Sequence, residues 1–125
     1  MSRTAITSPE LAPPVGPFSQ AIEVDGFLYL SGQVGQDPTG KVVDGGIVAE
    51  TERVFRNLSA VLKAAGRNFD HVVRAGVYLT SMSDFGAMNG IYAKHFSQPF
   101  PARTTIAVAA LPLGACVEID LVVKV

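Results

Sequence analysis

The last ten residues, CVEIDLVVKV (residues 116–125), alternate along the chain between two kinds of position. The first kind is aliphatic throughout and comprises Val117, Ile119, Leu121, Val123 and Val125. The second kind, between them, includes two acidic side chains and one lysine. A period of two is typical of a β-strand that buries one face and leaves the other less apolar. The stretch therefore predicts a sheet whose inner face packs on a hydrophobic core.

Four further strands are predicted upstream of this segment. Residues 18–24 and 27–34 flank Asp25-Gly26, a two-residue hairpin signal because both turn positions need a positive φ. Residues 71–80 are rich in Val and Ala, and residues 103–110 are mostly Thr, Ile, Ala and Val. Both compositions favour strands.

Two helices are predicted between the strands. Residues 47–65 contain no Pro or Gly and carry apolar side chains at helical spacing, with Gly66 placed to end the helix. A second helix is expected over residues 84–96, with Ser83 as its cap.

The element order β-β-α-β-α-β-β predicts an α+β fold in which two helices cover one face of a single sheet and leave the other face open. The whole chain, 1–125, is expected to form one domain, preceded over residues 1–14 by a loosely structured arm with three prolines. Segments 103–110 and 116–125 could form a tight hairpin. If the numbers of its paired residues add up to an odd number, Arg103 and Glu118 share a face of the sheet.

The composition indicates that part of the surface is buried against other chains. Charged residues make up 17% of the 125 residues, whereas about 25% is usual for a soluble domain. Hydrophobic residues make up 48%. A small domain has proportionally more surface to cover with polar groups, so we expect an oligomer.

The same composition excludes several classes of chemistry. One cysteine forms no intrachain disulfide, and two histidines with one cysteine do not make the usual zinc site, so we expect no metal and no cofactor. A net charge of −1 gives no general attraction for nucleic acid. No apolar run approaches the roughly 20 residues of a membrane helix, and no secretory signal is evident at the start. We expect a cytoplasmic protein without membrane partners.

Arg103 is the residue that suggests a function. It begins a strand of small and apolar residues, where an unpaired guanidinium is costly to bury. One interpretation is an ion pair with Glu118 or Asp120. The other is a two-pronged clamp for a small carboxylate, which suits the planar fork of arginine.

Five sequence blocks together resemble the reactive intermediate deaminase (Rid/YjgF) family, and most closely its RidA-like 2-iminobutanoate/2-iminopropanoate deaminases. The blocks follow the family's order and cover nearly the whole chain after residue 14. They read GPFSQAI (16–22), LSGQVGQDPTGKVVDGG (30–46), NLSAVLKAAG (57–66), DFGAMNGIYAKHF (84–96) and PARTTIAVAALPLGACVEID (101–120).

The resemblance implies a chorismate-mutase-like fold that assembles as a homotrimer. The three sheets would form a central barrel, with a cleft between each pair of neighbouring subunits. The implied activity is hydrolysis of reactive enamines and imines, such as 2-aminoacrylate and 2-imino acids, to 2-keto acids and ammonia.

The resemblance also implies roles for individual residues. Arg103 would grip the substrate carboxylate, Glu118 would act on the attacking water, and the backbone carbonyl of Thr105 would help to orient that water. The remaining cleft residues would be Phe18, Ser31, Gly32 and Asn89. Phe18 stands where many members have Tyr, and Thr105 stands where many have Cys.

Two other functions stay open at this stage. A trimer with Phe18 and Thr105 in its clefts could bind small carboxylates without turnover, as a binding or chaperone-like protein. An endoribonuclease is the third possibility, and the acidic pI of about 6.1 and the lack of Lys/Arg clusters oppose it.

Overall fold

The computed structural model describes residues 2–125, which form one mixed six-stranded sheet and two helices. The sheet has the order β1-β2-β3-β6-β4-β5, and β4–β5 is its parallel pair. The elements are β1 (Thr4–Ile6), β2 (Ala21–Val24), β3 (Phe27–Val34), α1 (Gly46–Ala64), β4 (Val72–Leu79), α2 (Phe85–Tyr92), β5 (Ala102–Ala107) and β6 (Val117–Lys124). The predicted α+β class with a single mixed sheet is confirmed.

Local sequence signals correctly predicted two junctions between elements. Asp25 and Gly26 both have positive φ, 51° and 80°, and they join β2 and β3 as a tight hairpin. Helix α1 ends at Gly66, whose φ is 69°. The Arg67 N–H donates to the Leu62 carbonyl at 2.8 Å and the Gly66 N–H to the Lys63 carbonyl at 3.0 Å. This pair of bonds closes the helix as a Schellman motif.

The core lies between the sheet and the two helices. The aliphatic positions predicted for β6 are buried, with Val117, Ile119 and Val123 fully inaccessible. Helix α1 packs its apolar stripe on them, and α2 contributes Met88 and Tyr92. Burial of this stripe, rather than intrinsic helix propensity, is what holds each helix in place.

Two expectations about chain ends and caps are wrong. The N-terminal arm is not wholly irregular, because Thr4–Ile6 pairs with β2 as an edge strand; its β-branched residues favour that conformation. Ser83 does not cap α2. Instead, Ser81 accepts a bond from the Ser83 N–H and begins a 3-10 turn, Met82–Asp84, that leads into the helix.

The expected hairpin between the two closing strands is also wrong. β5 pairs in parallel with β4, and β6 inserts on the other side of β4, so β5 and β6 are not neighbours. Helix α2 supplies the crossover that a parallel β4–β5 pair needs. The register places Arg103 beside Ala75 and Glu118 beside Tyr78, on opposite faces of the sheet.

The sheet face opposite the helices is open in the single chain, as predicted. Tyr29 is 47% exposed and Ile106 45% exposed on this face. The charged and polar members of β6 point the same way, since they alternate with its buried positions. No helix within residues 2–125 is long and apolar enough to cross a membrane.

Candidate functional site

Arg103 lies at the edge of the sheet with its guanidinium against helix α2. Its Nη1 donates a 2.7 Å hydrogen bond to Asn89 Oδ1. The guanidinium carbon sits 4.5 Å from the centroid of the Tyr92 ring and 5.6 Å from that of Phe85. We call Arg103, Asn89, Tyr92 and Phe85 the arginine cluster. It holds a cation by an amide oxygen and two aromatic faces.

The arginine cluster contains no carboxylate. Within residues 2–125 the only ion pair joins Lys63 to Glu10, at 3.9 Å on the surface. The ion-pair interpretation of Arg103 is therefore wrong, because Glu118 and Asp120 lie on the other face of the sheet. A half-buried guanidinium without an anionic partner is well suited to bind an anionic ligand.

Helix α2 builds the cluster through residue spacing. Asn89 and Tyr92 are three positions apart and so lie on one helix face. Tyr92 is 5% exposed, and its hydroxyl has no well-formed hydrogen bond to any of residues 2–125. Burial raises the pKa of Tyr92, and the nearby Arg103 charge opposes that shift without cancelling it. The side chain is thus a neutral aromatic surface beneath the guanidinium.

Glu118 belongs to a second group of residues, which we call the carboxylate groove. Phe18, Gly32 and Glu118 line this open groove of about 680 Å³, together with the loop residues Val15 and Leu113. A Cβ atom at Gly32 would lie 2.5 Å from Glu118 Oε2. The missing side chain of Gly32 therefore makes room for the Glu118 carboxylate. An irregularity in β3 between Leu30 and Gln33 includes this glycine.

The surroundings of Glu118 favour its protonated form. Burial raises the pKa of Glu118, and the like charge of Asp120 raises it further. Asp120 is held in turn by the Tyr78 hydroxyl, which donates to Oδ2 at 3.0 Å. A carboxyl group whose pKa is moved toward neutrality is better able to exchange protons near pH 7.

Ser31 and Thr105, the remaining expected site residues, play different parts in the chain. The Ser31 hydroxyl donates to the Ser19 carbonyl at 2.6 Å, so it fixes the segment before β2. Thr105 Oγ1 is buried and finds no hydrogen-bond partner in the described part of the chain, residues 2–125. Thr105 lies on β5, an edge strand that pairs only with β4 within residues 2–125, which leaves backbone groups on its outer side free of sheet bonds.

The structure brings the expected site residues together in two groups rather than one. Arg103 and Asn89 meet on the helix side, while Phe18, Gly32 and Glu118 share the groove. The two groups are separated because β4 pairs Ala75 with Arg103 and Tyr78 with Glu118, and residues three apart on one strand point to opposite faces of the sheet. A single chain thus holds the two halves of the expected site apart.

Sequence reasoning did not identify Tyr92 or Tyr78 as part of either group. The spacing of three positions between Asn89 and Tyr92 on the predicted second helix was a usable signal. The Tyr78–Asp120 bond depends on the β4–β6 pairing, in which Tyr78 stands opposite Glu118. That pairing has no local sequence signature.

Cys116 lies next to β6 but does not form a reactive centre. Its backbone N–H donates to Glu50 Oε1 at 2.9 Å. Burial, with the nearby Glu50 carboxylate, raises the pKa of the Cys116 thiol to about 12. The thiolate form is scarce at neutral pH, so the thiol is a weak nucleophile. Within residues 2–125, no three His, Cys, Asp or Glu side chains are grouped to hold a metal ion.

The class of protein defined by this fold and site is a single-sheet α+β domain with an arginine at its edge that forms no ion pair within residues 2–125. The family model described as Endoribonuclease L-PSP matches residues 9–125. The chain belongs to this family, the Rid/YjgF family.

Several individual relatives are similar over nearly the full length. A 2-iminobutanoate/2-iminopropanoate deaminase of Mus musculus is 46% identical, over 96% of this chain and 90% of its own length. Protein DfrA of Myxococcus xanthus is also 46% identical, over 98% and 95%. The crystal structure of YyfA, a protein of unknown function of the conserved Rid family from Yersinia pestis, is 39% identical. It superposes with a TM-score of 0.95 over 99% of this chain and all of its own.

Proposed function

We propose that this protein hydrolyses 2-imino acids and their enamine forms, including 2-aminoacrylate, to 2-keto acids and ammonia. The observation that carries the proposal is Arg103, a half-buried guanidinium held by Asn89 and two aromatic rings with no carboxylate beside it. A 2-imino acid supplies the missing carboxylate. Relatives at 42–46% identity are named 2-iminobutanoate/2-iminopropanoate deaminases.

The active site is a cleft between subunits of a homotrimer. Arg103 and Glu118 lie on opposite sheet faces of one chain, so they act on one small substrate only if neighbouring chains contribute one each. Trimer contact would also cover the open sheet face, with its exposed Tyr29 and Ile106. A head-to-tail ring of three chains provides three equivalent clefts.

The reaction begins when Arg103 binds the carboxylate through two charge-assisted hydrogen bonds, each contributing about 1.5–3 kcal/mol. This fixes the C=N carbon in front of a water molecule held by Glu118 and the Thr105 carbonyl. The substrate reacts as its protonated imine. Glu118 takes a proton from the water as the water oxygen bonds to the C=N carbon, and the C=N electron pair moves to the nitrogen, which gives a neutral carbinolamine. Glu118 then gives that proton to the amine nitrogen. The C–N bond breaks as the C=O bond forms, the hydroxyl proton passes to solvent, and the 2-keto acid and ammonia leave.

Neither a catalytic triad nor a strongly activated nucleophile is needed for this chemistry. A protonated imine already reacts with water, and holding the two reactants in line supplies much of the remaining acceleration. The raised pKa of Glu118 suits a group that first accepts and then returns a proton. The cytoplasmic location expected from the sequence belongs to the same proposal.

The test couples the purified protein to an enzyme that generates 2-aminoacrylate and follows the release of pyruvate over time. We expect the wild-type protein to accelerate pyruvate release well beyond spontaneous hydrolysis. Arg103→Lys keeps the charge but loses the fork, so kcat/KM is expected to fall about 10–100-fold. Wild-type turnover by Arg103→Lys would refute the clamp, and no acceleration by the wild-type protein would refute the activity.

Two other functions are outcomes of the same experiment. A protein that binds 2-keto acids through Arg103 without accelerating hydrolysis would be the non-catalytic carboxylate binder, to which the missing phenolic hydroxyl at Phe18 lends some support. The family model carries an endoribonuclease description. RNA cleavage that persists in Arg103→Ala after rigorous removal of contaminating nuclease would support that function instead.

A further inference from the structure

We propose that Tyr92 is a positioning residue for the carboxylate clamp, and that it acts through its ring face rather than its hydroxyl. The inference rests on the proposed role of Arg103. The guanidinium carbon lies 4.5 Å from the Tyr92 ring centroid, closer than to Phe85 at 5.6 Å. An aromatic face at this distance attracts a cation and limits its motion to the plane above the ring.

Asn89 and Tyr92 restrain the guanidinium in complementary ways. Asn89 Oδ1 accepts one N–H, and the Tyr92 ring supports the group from below. A guanidinium has five N–H donors, so four remain after the Asn89 bond, and a carboxylate takes two of them. A long side chain that is already held in place loses less freedom when the ligand arrives.

The Tyr92 ring is itself fixed by the core. Its centroid lies 4.5 Å from that of Phe96 and 5.9 Å from that of Phe55, which meets it edge-on. These contacts fix the orientation of the ring that faces Arg103. Within residues 2–125 the buried Tyr92 hydroxyl has no well-formed hydrogen bond, and the Arg103 guanidinium lies near enough to this hydroxyl to lower its pKa. The Tyr92→Phe variant therefore measures what the hydroxyl contributes.

Three variants distinguish the contribution of the Tyr92 ring from that of its hydroxyl and from that of core packing. Tyr92→Phe keeps the ring and deletes the hydroxyl, whereas Tyr92→Leu deletes the ring face. Phe96→Leu is the matched control, because Phe96 is as well buried and packs on the same ring without contributing a face to Arg103. If Tyr92→Leu does not fold, Tyr92→Met replaces it as an unbranched side chain without a ring.

The measurements are the affinity for 2-oxobutanoate, the affinity for its uncharged amide, and KM and kcat for imine hydrolysis. We expect Tyr92→Leu to weaken 2-oxobutanoate binding roughly tenfold and to raise KM more than it lowers kcat. Binding of the amide should change much less. Tyr92→Phe should bind within about twofold of wild type, and Phe96→Leu should lower the melting temperature while keeping the affinity.

Three results would overturn the inference: unchanged 2-oxobutanoate binding in Tyr92→Leu, an equal loss in Tyr92→Phe, or an equal loss in Phe96→Leu. Failure of the proposed function has a different signature. If the wild-type protein binds 2-oxobutanoate through Arg103 but does not hydrolyse imines, the activity fails while the positioning role stands. If Arg103→Ala binds 2-oxobutanoate as tightly as wild type, both fail.

Discussion

Arg103 shows how one side chain can be kept charged and ready without a counter-ion. An isolated guanidinium is expensive to bury, yet it is only half-buried here, and its partners are an amide oxygen and aromatic faces rather than an anion. Such partners stabilise the cation without neutralising it. A carboxylate ligand therefore meets an arginine that has no existing ion pair to break.

Gly32 matters at the residue scale because its missing side chain leaves room for Glu118. Gly32→Ala would place a methyl carbon 2.5 Å from Glu118 Oε2. The clash is with the end of a flexible side chain, so Glu118 should swing away and the fold should survive. We expect kcat/KM to fall about tenfold or more as the proton acceptor moves, with a change in unfolding free energy below about 1 kcal/mol. Thermal denaturation and the imine assay check the two parts, and an unaltered kcat/KM would contradict this role.

Glu118 links the stability of the fold to pH through its raised pKa. Because its folded-state pKa is raised, the native protein holds this proton more tightly than the unfolded chain does. The associated stabilisation is complete below the unfolded pKa and is lost as pH rises through the folded pKa. At pH 7 the ionised Glu118 carboxylate therefore lowers the free energy of unfolding. Solvent screening reduces this effect because the group is partly exposed.

Glu118→Gln should accordingly lose imine hydrolysis while unfolding at a slightly higher temperature at pH 7. The gain should be below about 1 kcal/mol and should shrink as pH falls through the folded-state pKa of Glu118. Melting curves of the two proteins from acidic to neutral pH provide the comparison. A variant that is less stable than wild type at pH 7 would show that the Glu118 environment favours the charged form.

Among the secondary-structure elements, helix α2 contributes most to the surroundings of Arg103. It connects β4 to the parallel β5 and carries Asn89 and Tyr92 on the face toward Arg103. Gly90 lies between these two residues on the exposed side, and a Cβ there would meet nothing within 4 Å. Glycine costs a helix about 0.5–1 kcal/mol relative to alanine.

Gly90→Ala is therefore expected to stabilise the chain by about 0.5–1 kcal/mol, seen as a higher denaturant midpoint at an unchanged slope. Affinity for 2-oxobutanoate should stay the same or rise, because a stiffer α2 holds Asn89 and Tyr92 more firmly. A lower midpoint would mean that this face of α2 is covered in the assembled protein.

The strands show where reading the sequence succeeds and where it fails. Asp25-Gly26 and Gly66 are local signals, since the backbone conformation each requires is chemically specific, and both junctions were predicted. The alternation of β6 predicted which of its residues are buried. It did not predict its neighbours, because a period of two assigns faces within one strand and not the partner strand. For that reason, the expected β5–β6 hairpin was wrong.

The candidate site, too, could be predicted only in part from the sequence. The residue pattern itself singled out Arg103, and the resemblance to a family supplied the roles of Glu118 and Gly32. The close approach of Gly32 to Glu118 gives that glycine a physical reason. The separation of Arg103 from Glu118 followed only from the β4–β5 and β4–β6 registers. Tyr92 was hidden because a buried aromatic residue on a helix ordinarily signals only a core.

At the scale of the whole molecule, the single chain leaves one face of its sheet uncovered. One sheet face is covered by helices and the other is open, with half-exposed Tyr29 and Ile106. The low charge content of the sequence fits a face that contacts other chains. Assembly would serve two purposes at once, because it covers apolar surface and brings the arginine cluster of one chain to the carboxylate groove of the next.

Complementation between two inactive variants tests this central claim most directly. Arg103→Ala and Glu118→Gln are purified separately, then unfolded, mixed in equal amounts and refolded. In randomly assembled trimers, about one cleft in four combines an intact arginine with an intact glutamate from its neighbour. We predict that imine hydrolysis returns to about a quarter of the wild-type rate in the mixture and stays near zero in each variant refolded alone. Activity no greater than the sum of the two variants would contradict a cleft shared between subunits.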